Sequence, residues 1–274
     1  MPDIAVLIIA MLATGVAGGV LAGLLGVGGG IVIVPVLEFV LEWLGVPADY
    51  RMHMAIATSL AVIIPTSISS ARAHHKRGAV DIDLAKRWVP FIAIGAVIGV
   101  VIASRVSGPT LATVFAVFAL LLATKMVLPL DRKTITSEVP RGFPTSLVPI
   151  SIGAISSMMG IGGGTLTVPA LTLMGESIHR AVGTSALFGL LISVPGTIGF
   201  IVSGWGNEQL PIGSLGFVNL AGFALIAPAS VLAAPFGARL AHTLSHRKLS
   251  FLFGAFLLLV ASRMLLQGLS AMVK

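Results

Sequence analysis

The chain has 274 residues, 56% of them hydrophobic and 10% charged, with a net charge of +7 and no cysteine. A soluble domain carries about 25% charged residues, so the composition excludes a soluble globule in favour of an integral membrane protein, and the missing cysteine excludes disulfides and cysteine–zinc sites. The basic residues cluster in loops between apolar runs, which is the pattern of positive-inside topology and not of a nucleic-acid face.

The start, Met1-Pro2-Asp3-Ile4, lacks the basic n-region of a signal peptide. The first apolar run is therefore expected to be retained as a span, over residues 4–25. Gly15, Gly19 and Gly23 form a small-residue stripe along it, which lets another helix approach closely. A glycine block follows: Gly26, Gly28, Gly29 and Gly30, then apolar residues, Pro35 and Leu37. Residues 31–45 are apolar but reach only about 22 Å as helix, short of the roughly 30 Å hydrocarbon core. The next span is expected at 53–71, with Thr58-Ser59 early and Pro65 inside. A basic loop with Arg72, His74, His75, Lys76, Arg77, Lys86 and Arg87 follows. Spans at 88–104 and 111–128 complete the first half.

The polar stretch 129–144 reads as a linker, and the second half then replays the first. Residues 145–160 lead into Gly160, Gly162, Gly163 and Gly164, followed by Pro169 and Leu171. The offset is 134 residues, and four glycines, the proline and the leucine coincide. A short apolar segment at 165–175 precedes spans at 180–203, 214–238 and 249–268. His53 with Thr58-Ser59 matches His179 with Thr184-Ser185 at offset 126. Phe115, Phe118, Ala123, Lys125 and Met126 match Phe253, Phe256, Ala261, Arg263 and Met264 at offset 138. Agreement in three blocks establishes an internal duplication: a first transmembrane repeat at 1–128, the linker at 129–144, and a second repeat at 145–274.

Loop charges orient the halves. The loop at 72–87 is strongly basic, whereas its counterpart at 203–213 has no Lys or Arg and carries Glu208. The next loop reverses this, with only Arg105 in the first half but Arg239, Arg247 and Lys248 in the second. Equivalent loops therefore prefer opposite sides of the membrane. The expectation is an all-α polytopic membrane protein of two inverted repeats, about five segments each, with Gly-rich helix breaks near the midplane. If the segments around each glycine block form re-entrant hairpins, three crossings per half remain, still an odd number. Residues 72–87, 129–144 and 239–248 are expected in the cytoplasm, with 203–213 and both termini outside.

The glycine blocks carry the functional reading. Glycine runs do not hold a helix, and bared backbone in lipid must be buried in protein or line a cavity. A Gly-rich loop before a helix presents N–H groups and a positive helix end to an anion. Broken helices at equivalent places in two halves are a pointer to a transporter site. The competing reading is close helix packing through glycine. A nucleotide loop is excluded, because no Gly-Lys-Ser/Thr ends either block. Candidate substrate-binding residues are thus Gly28, Gly29, Gly30, Gly162, Gly163 and Gly164, with the hydroxyls of Thr58, Ser59, Thr165, Thr184 and Ser185 as donors to an oxyanion. The competing reading of each hydroxyl is a back-bond to a carbonyl one turn earlier; Thr167 shares the ambiguity. Lys125 and Arg263 are expected to snorkel to the interface. Arg51, His53, His179 and Arg180 are expected as interfacial anchors or as an anion-attracting mouth. Glu38 and Glu42 are the candidate proton carriers.

The duplicated Gly-x-Gly-Gly-Gly with its following proline, the Thr-Ser spans and the chain length resemble the TauE/SafE family of membrane permeases, over almost the whole chain. The resemblance implies an exporter or importer of small sulfur-containing or organic anions, such as sulfite, sulfonates and sulfoacetate. Composition and spacing by themselves give a transporter with an anion-friendly site. The expectation is therefore a multi-pass permease of the inner or plasma membrane, working by alternating access on a small anion. Its partners are that anion, the lipid bilayer and a possible coupling proton or sodium ion, with no nucleic acid, cofactor or metal. An anion channel, or a coupled importer of a small organic acid, is the alternative. An enzyme is not expected, since no paired-histidine metal motif or Gly-x-Ser-x-Gly elbow is present.

Overall fold

The structure is a computed structural model that describes residues 4–26, 28–127, 146–240, 254–255 and 257–266. The expected linker at 129–144, most of the 239–248 loop and both termini lie outside the described residues, as does the side chain of Lys125.

The first half runs α1 (Ile4–Leu25), α2 (Gly30–Trp43), α3 (Ala48–His75), α4 (Ile82–Ala103) and α5 (Gly108–Val127). The second runs α6 (Leu147–Met159), α7 (Gly164–Leu173), α8 (Ile178–Ser203), a hairpin of β1 (Ser214–Leu215) and β2 (Val218–Asn219), and α9 (Leu220–Leu240). We label the last described helix, Leu257–Leu266, α10. Among the described residues, five helices (α1, α3, α4, α8 and α9) are long and apolar enough to cross a membrane, and Gly108–Thr124 of α5, α6, α7 and α10 are shorter apolar helices.

Most expected spans match these helices within a few residues, with three corrections. The span expected at 88–104 is α4, which starts six residues earlier, at Ile82 behind its cap Asp81, so that Lys86 and Arg87 lie in the helix and not in the loop. The span expected at 214–238 opens with the two-residue antiparallel ladder, in the register Ser214↔Asn219 and Leu215↔Val218. Gly213 and Gly216 turn the chain there, and Asn219 then caps α9 by accepting the Gly222 N–H at 2.7 Å. Helix α3 starts five residues earlier than expected, because Pro47 precedes it and the polar residues of its first turns find partners. Arg51 pairs with Glu42 at 2.8 Å, and Tyr50 donates to Gln209 at 2.8 Å.

Helices α3 and α8 pack against each other at the centre, with α1 on α9 and α4 on α6 to either side. Glycines make the flanking contacts close, and these contacts occur in exchanged pairs. Gly19 faces the Ser230 carbonyl and Gly153 faces that of Ile92; Gly99 faces the Ala154 carbonyl and Gly237 that of Val20. In each pair the partners are counterparts at the offsets of 134 and 138 read from the sequence. The stretch Met52–Ile63 of α3 is buried throughout. Ile9, Leu121 and Leu232, on α1, α5 and α9, point outward instead, 64%, 67% and 79% exposed. An apolar exterior over a core that also buries polar side chains such as His53, Thr58 and Ser59 suits lipid as the surrounding solvent.

The loops divide between the two ends of α3. Its N-terminal end carries Tyr50 on Gln209, and His53 stacked on Phe217 with ring centroids 5.1 Å apart. Its C-terminal end runs into 76–81, where Arg77 donates to the carbonyl of Ala238 near the end of α9.

Candidate functional site

Both glycine blocks break a helix, as their composition requires. Helix α1 ends before Gly26, and α2 begins at Gly30 behind Gly29, whose φ of 78° is closed to most side chains. Helix α6 ends at Gly160 with φ 65°, and α7 begins at Gly164. The two loops touch: a Cβ on Gly28 would stand 3.1 Å from Gly162 Cα. Gly30, at the start of α2, abuts the Gly160 carbonyl at the end of α6. Four helix ends therefore meet around the loops, two of them N-terminal and two C-terminal.

All four paired hydroxyls are fully buried, and the two serines reach carbonyls of the loops. Their partners belong to the opposite half. Ser59 donates to the Gly160 carbonyl at 2.7 Å. Its counterpart Ser185 lies 3.4 Å from the Gly26 carbonyl and 2.8 Å from that of Val182. Thr58 accepts the Asn219 N–H at 2.8 Å, and Thr184 accepts the Asp81 N–H at 2.9 Å. Only Ser185 has the expected kind of local bond, and it has a cross-half contact as well. Asp81 and Asn219 were not singled out from sequence. They are counterparts at offset 138, and each caps a helix, since the Leu84 N–H donates to Asp81 Oδ1 at 2.9 Å as Gly222 does to Asn219.

The remaining loop-side hydroxyls differ. Thr165, in the first turn of α7, and Thr167 are buried, and their oxygens have no hydrogen-bond partner among the described residues. The same holds for Ser67 on α3, which sequence reasoning missed.

The charge pattern at the junction follows from these bonds. The C-terminal carbonyls of Gly26 and Gly160 have serine hydroxyls beside them. The first N–H groups of α2 and α7 have no acceptor one turn back inside their helices, although that of Val32 reaches the Gly29 carbonyl at 3.1 Å. With the positive ends of two helix dipoles added, the junction holds an excess of donors, which suits an anion.

The charged candidates lie elsewhere. Glu38 is buried on α2, with Oε1 3.8 Å from Arg51 Nε and Oε2 without a hydrogen-bond partner among the described residues. Arg263 reaches Glu42 at 2.7 Å and lies over the Phe39 ring, 4.4 Å from its centroid, so it has an ion-pair partner on α2. His53 is no interfacial anchor. It is buried, with ring nitrogens 3.0 Å from the Asp49 carbonyl and 3.1 Å from that of Ala103. His179 and Arg180 are exposed, and Arg180 pairs with Asp81 at 2.6 Å. No cluster of three or more His, Cys, Asp or Glu fit for a metal ion occurs among the described residues.

The model of the family described as "Sulfite exporter TauE/SafE" matches residues 11–264. A "Probable membrane transporter protein" of Haemophilus influenzae is 38% identical over 260 residues, covering 95% of this chain and 98% of its own length. One of Methanocaldococcus jannaschii is 25% identical over 90% of this chain and 91% of its own, and one of Bacillus subtilis 29% identical over 70% and 78%. No solved structure gives a significant match. With the doubled glycine break, the membrane-length helices and a family match across nearly the whole chain, the protein is a multi-pass membrane transporter and belongs to the sulfite exporter TauE/SafE family.

Proposed function

We propose that the chain is a secondary transporter of a small sulfur-containing or organic anion, such as sulfite or a sulfonate, in the inner or plasma membrane. The observation that carries this is the junction of the two loops, where serine hydroxyls stand beside the carbonyls of Gly26 and Gly160 and two helices, α2 and α7, begin. The anion sits there against Gly28–Gly30 and Gly162–Gly164, with Thr165 as a further donor. Ser59, Ser185, Thr58 and Thr184 frame the site by tying each half to the other. The family description favours sulfite as the substrate.

Alternating access follows from an inverted repeat, which two features support. The exchanged glycine contacts relate the halves by a two-fold swap. Loop 204–213 and loop 76–81 sit at opposite ends of α3. A 28-residue helix spans about 42 Å, more than the roughly 30 Å hydrocarbon core, so the two loops face opposite compartments. Export of an anion from an inside-negative cell gains about 2.3 kcal/mol per charge per 100 mV, and needs no coupling acid.

The test is sulfite counterflow in liposomes holding the purified protein. Saturable, trans-stimulated exchange is expected. Flux that rises linearly with concentration and shows no counterflow identifies an anion channel instead. One observation favours a proton-coupled importer of a small organic acid, namely buried Glu38, whose Oε2 has no hydrogen-bond partner among the described residues. Uptake driven by an imposed pH gradient and lost in Glu38→Gln would select that reading.

A further inference from the structure

The outward faces of α4 and α9 are counterparts at offset 138, and they run in opposite directions. Helix α4 starts after loop 76–81, whereas α9 ends there, its Ala238 carbonyl accepting from Arg77. Equivalent apolar residues are exposed along both: Pro90 and Pro228, Ile94 and Leu232, Ile98 and Phe236. The ends of the two stripes differ. One turn before Pro90 stand Lys86 and Arg87, both exposed, where α9 has Ala224 and Leu225. One turn after Phe236 stands exposed Arg239, where α4 has Val101. The three bases thus follow one side of the membrane and not the repeat, so helix packing shared by the two halves does not account for them.

Lys86 and Arg87 have no ion-pair partner among the described residues. Of the two carboxylates at this end of α4, Asp81 is held by Arg180 at 2.6 Å, and Asp83 is exposed in the first turn. Two cations against Asp83 leave one positive charge over. The exposed apolar face from Pro90 to Ile102 is about 18 Å long at 1.5 Å per residue. Lys86 and Arg87 lie just beyond its end, and their long stems carry the charges on to headgroup depth. We propose that Lys86 and Arg87 form a headgroup site for an anionic phospholipid of the leaflet on the side of loop 76–81. The phosphate sits at the two bases, and an acyl chain runs along Pro90, Ile94 and Ile98. Basic residues at this depth attract anionic lipid, whereas phosphatidylcholine has no net charge to match. The site faces outward from the bundle, so it is separate from the substrate junction and stands whichever anion is carried.

The test is titration of the full chain in detergent with dioleoyl phosphatidylglycerol or dioleoyl phosphatidylcholine, with bound lipid counted by native mass spectrometry. The parent should bind phosphatidylglycerol about tenfold more tightly or better. The double variant Lys86→Gln with Arg87→Gln should lose about tenfold or more of that affinity, and each single variant part of it. Arg105→Gln removes an exposed charge at the opposite end of α4's hairpin with α5 and should bind as the parent does. Melting temperatures without lipid should match the parent, since both side chains are exposed; if the double variant melts lower, the single variants decide. Equal binding of the two lipids by the parent overturns the proposal, as does an unchanged preference in the variants. Displacement of phosphatidylglycerol by equimolar sodium phosphate would identify a plain anion site and overturns it too.

Discussion

The backbone N–H of Asp81 donates to the hydroxyl of Thr184 at 2.9 Å, joining the start of α4 to the middle of the other half. Asn219 and Thr58 make the same joint at 2.8 Å on the opposite side. Valine keeps the shape of threonine but offers no acceptor, so Thr58→Val and Thr184→Val each leave an N–H without its partner. An unsatisfied buried donor costs about 1–3 kcal/mol. The loss should be larger for Thr58→Val, because its bond is fully buried, whereas that of Thr184 is partly exposed and Asp81 stays anchored by Arg180. Thermal denaturation in detergent reads the order directly. Equal stability of both variants and the parent would show that these joints hold nothing together.

These joints mark the boundary of what the residues disclose by themselves. Hydropathy and the glycine spacing located α1, α2, α8 and both helix breaks, because membrane thickness and backbone chemistry act locally. The partners of Thr58, Ser59 and Thr184 lie more than a hundred residues away. A local reading offers each hydroxyl only a carbonyl one turn back or a ligand. Arg51 and His53 likewise read as span edges, since their partners on α2 and α4 are invisible to a hydropathy window. Ser67 gave no signal at all. Its buried oxygen, without a partner among the described residues, depends on how α3 packs in the fold.

The chain has no cysteine, so single cysteines can be introduced without a cleared background. Lys76→Cys and Glu208→Cys lie in loops at opposite ends of α3. A membrane-impermeant maleimide applied to intact cells should label the cysteine at 208, and the one at 76 only after lysis. Labelling of both from the same side would sink the inverted repeat.

Gly19 and Gly153 are counterparts that hold α1 on α9 and α6 on α4 through backbone-close contacts. A side chain has no room at either, and overpacking costs about 1–3 kcal/mol even where helices can shift. Gly19→Val and Gly153→Val should therefore lower the melting temperature and the monodisperse fraction to similar extents. Gly206→Ala is the comparison, because nothing lies within 4 Å of a Cβ there; its positive φ leaves only local backbone strain. Parent-like behaviour of Gly153→Val on size-exclusion chromatography would contradict the close packing.

Ser59 and Ser185 are counterparts, yet their bonds are unequal, and the inequality predicts an order of effects. Ser59 gives its proton to the Gly160 carbonyl at 2.7 Å, a good hydrogen bond. Ser185 lies closer to its local partner, the Val182 carbonyl, at 2.8 Å, and the Gly26 carbonyl is 3.4 Å away. Ser59→Ala therefore exposes a bare carbonyl at the loop junction, whereas Ser185→Ala mainly removes a local bond. A bare carbonyl acts twice. It is a buried acceptor without a donor, which costs stability. It also turns an uncompensated negative dipole end toward the place where the anion is proposed to sit, which costs affinity. Sulfite binding should thus fall by several-fold to about tenfold in Ser59→Ala, since each 1.4 kcal/mol is tenfold, and clearly less in Ser185→Ala. Titration calorimetry on both variants, with melting temperatures measured alongside, separates the two effects. A larger loss of affinity in Ser185→Ala than in Ser59→Ala would mean that the carbonyl of Gly160 does not face the anion, and would shift the balance of charge at the junction to the Gly26 side.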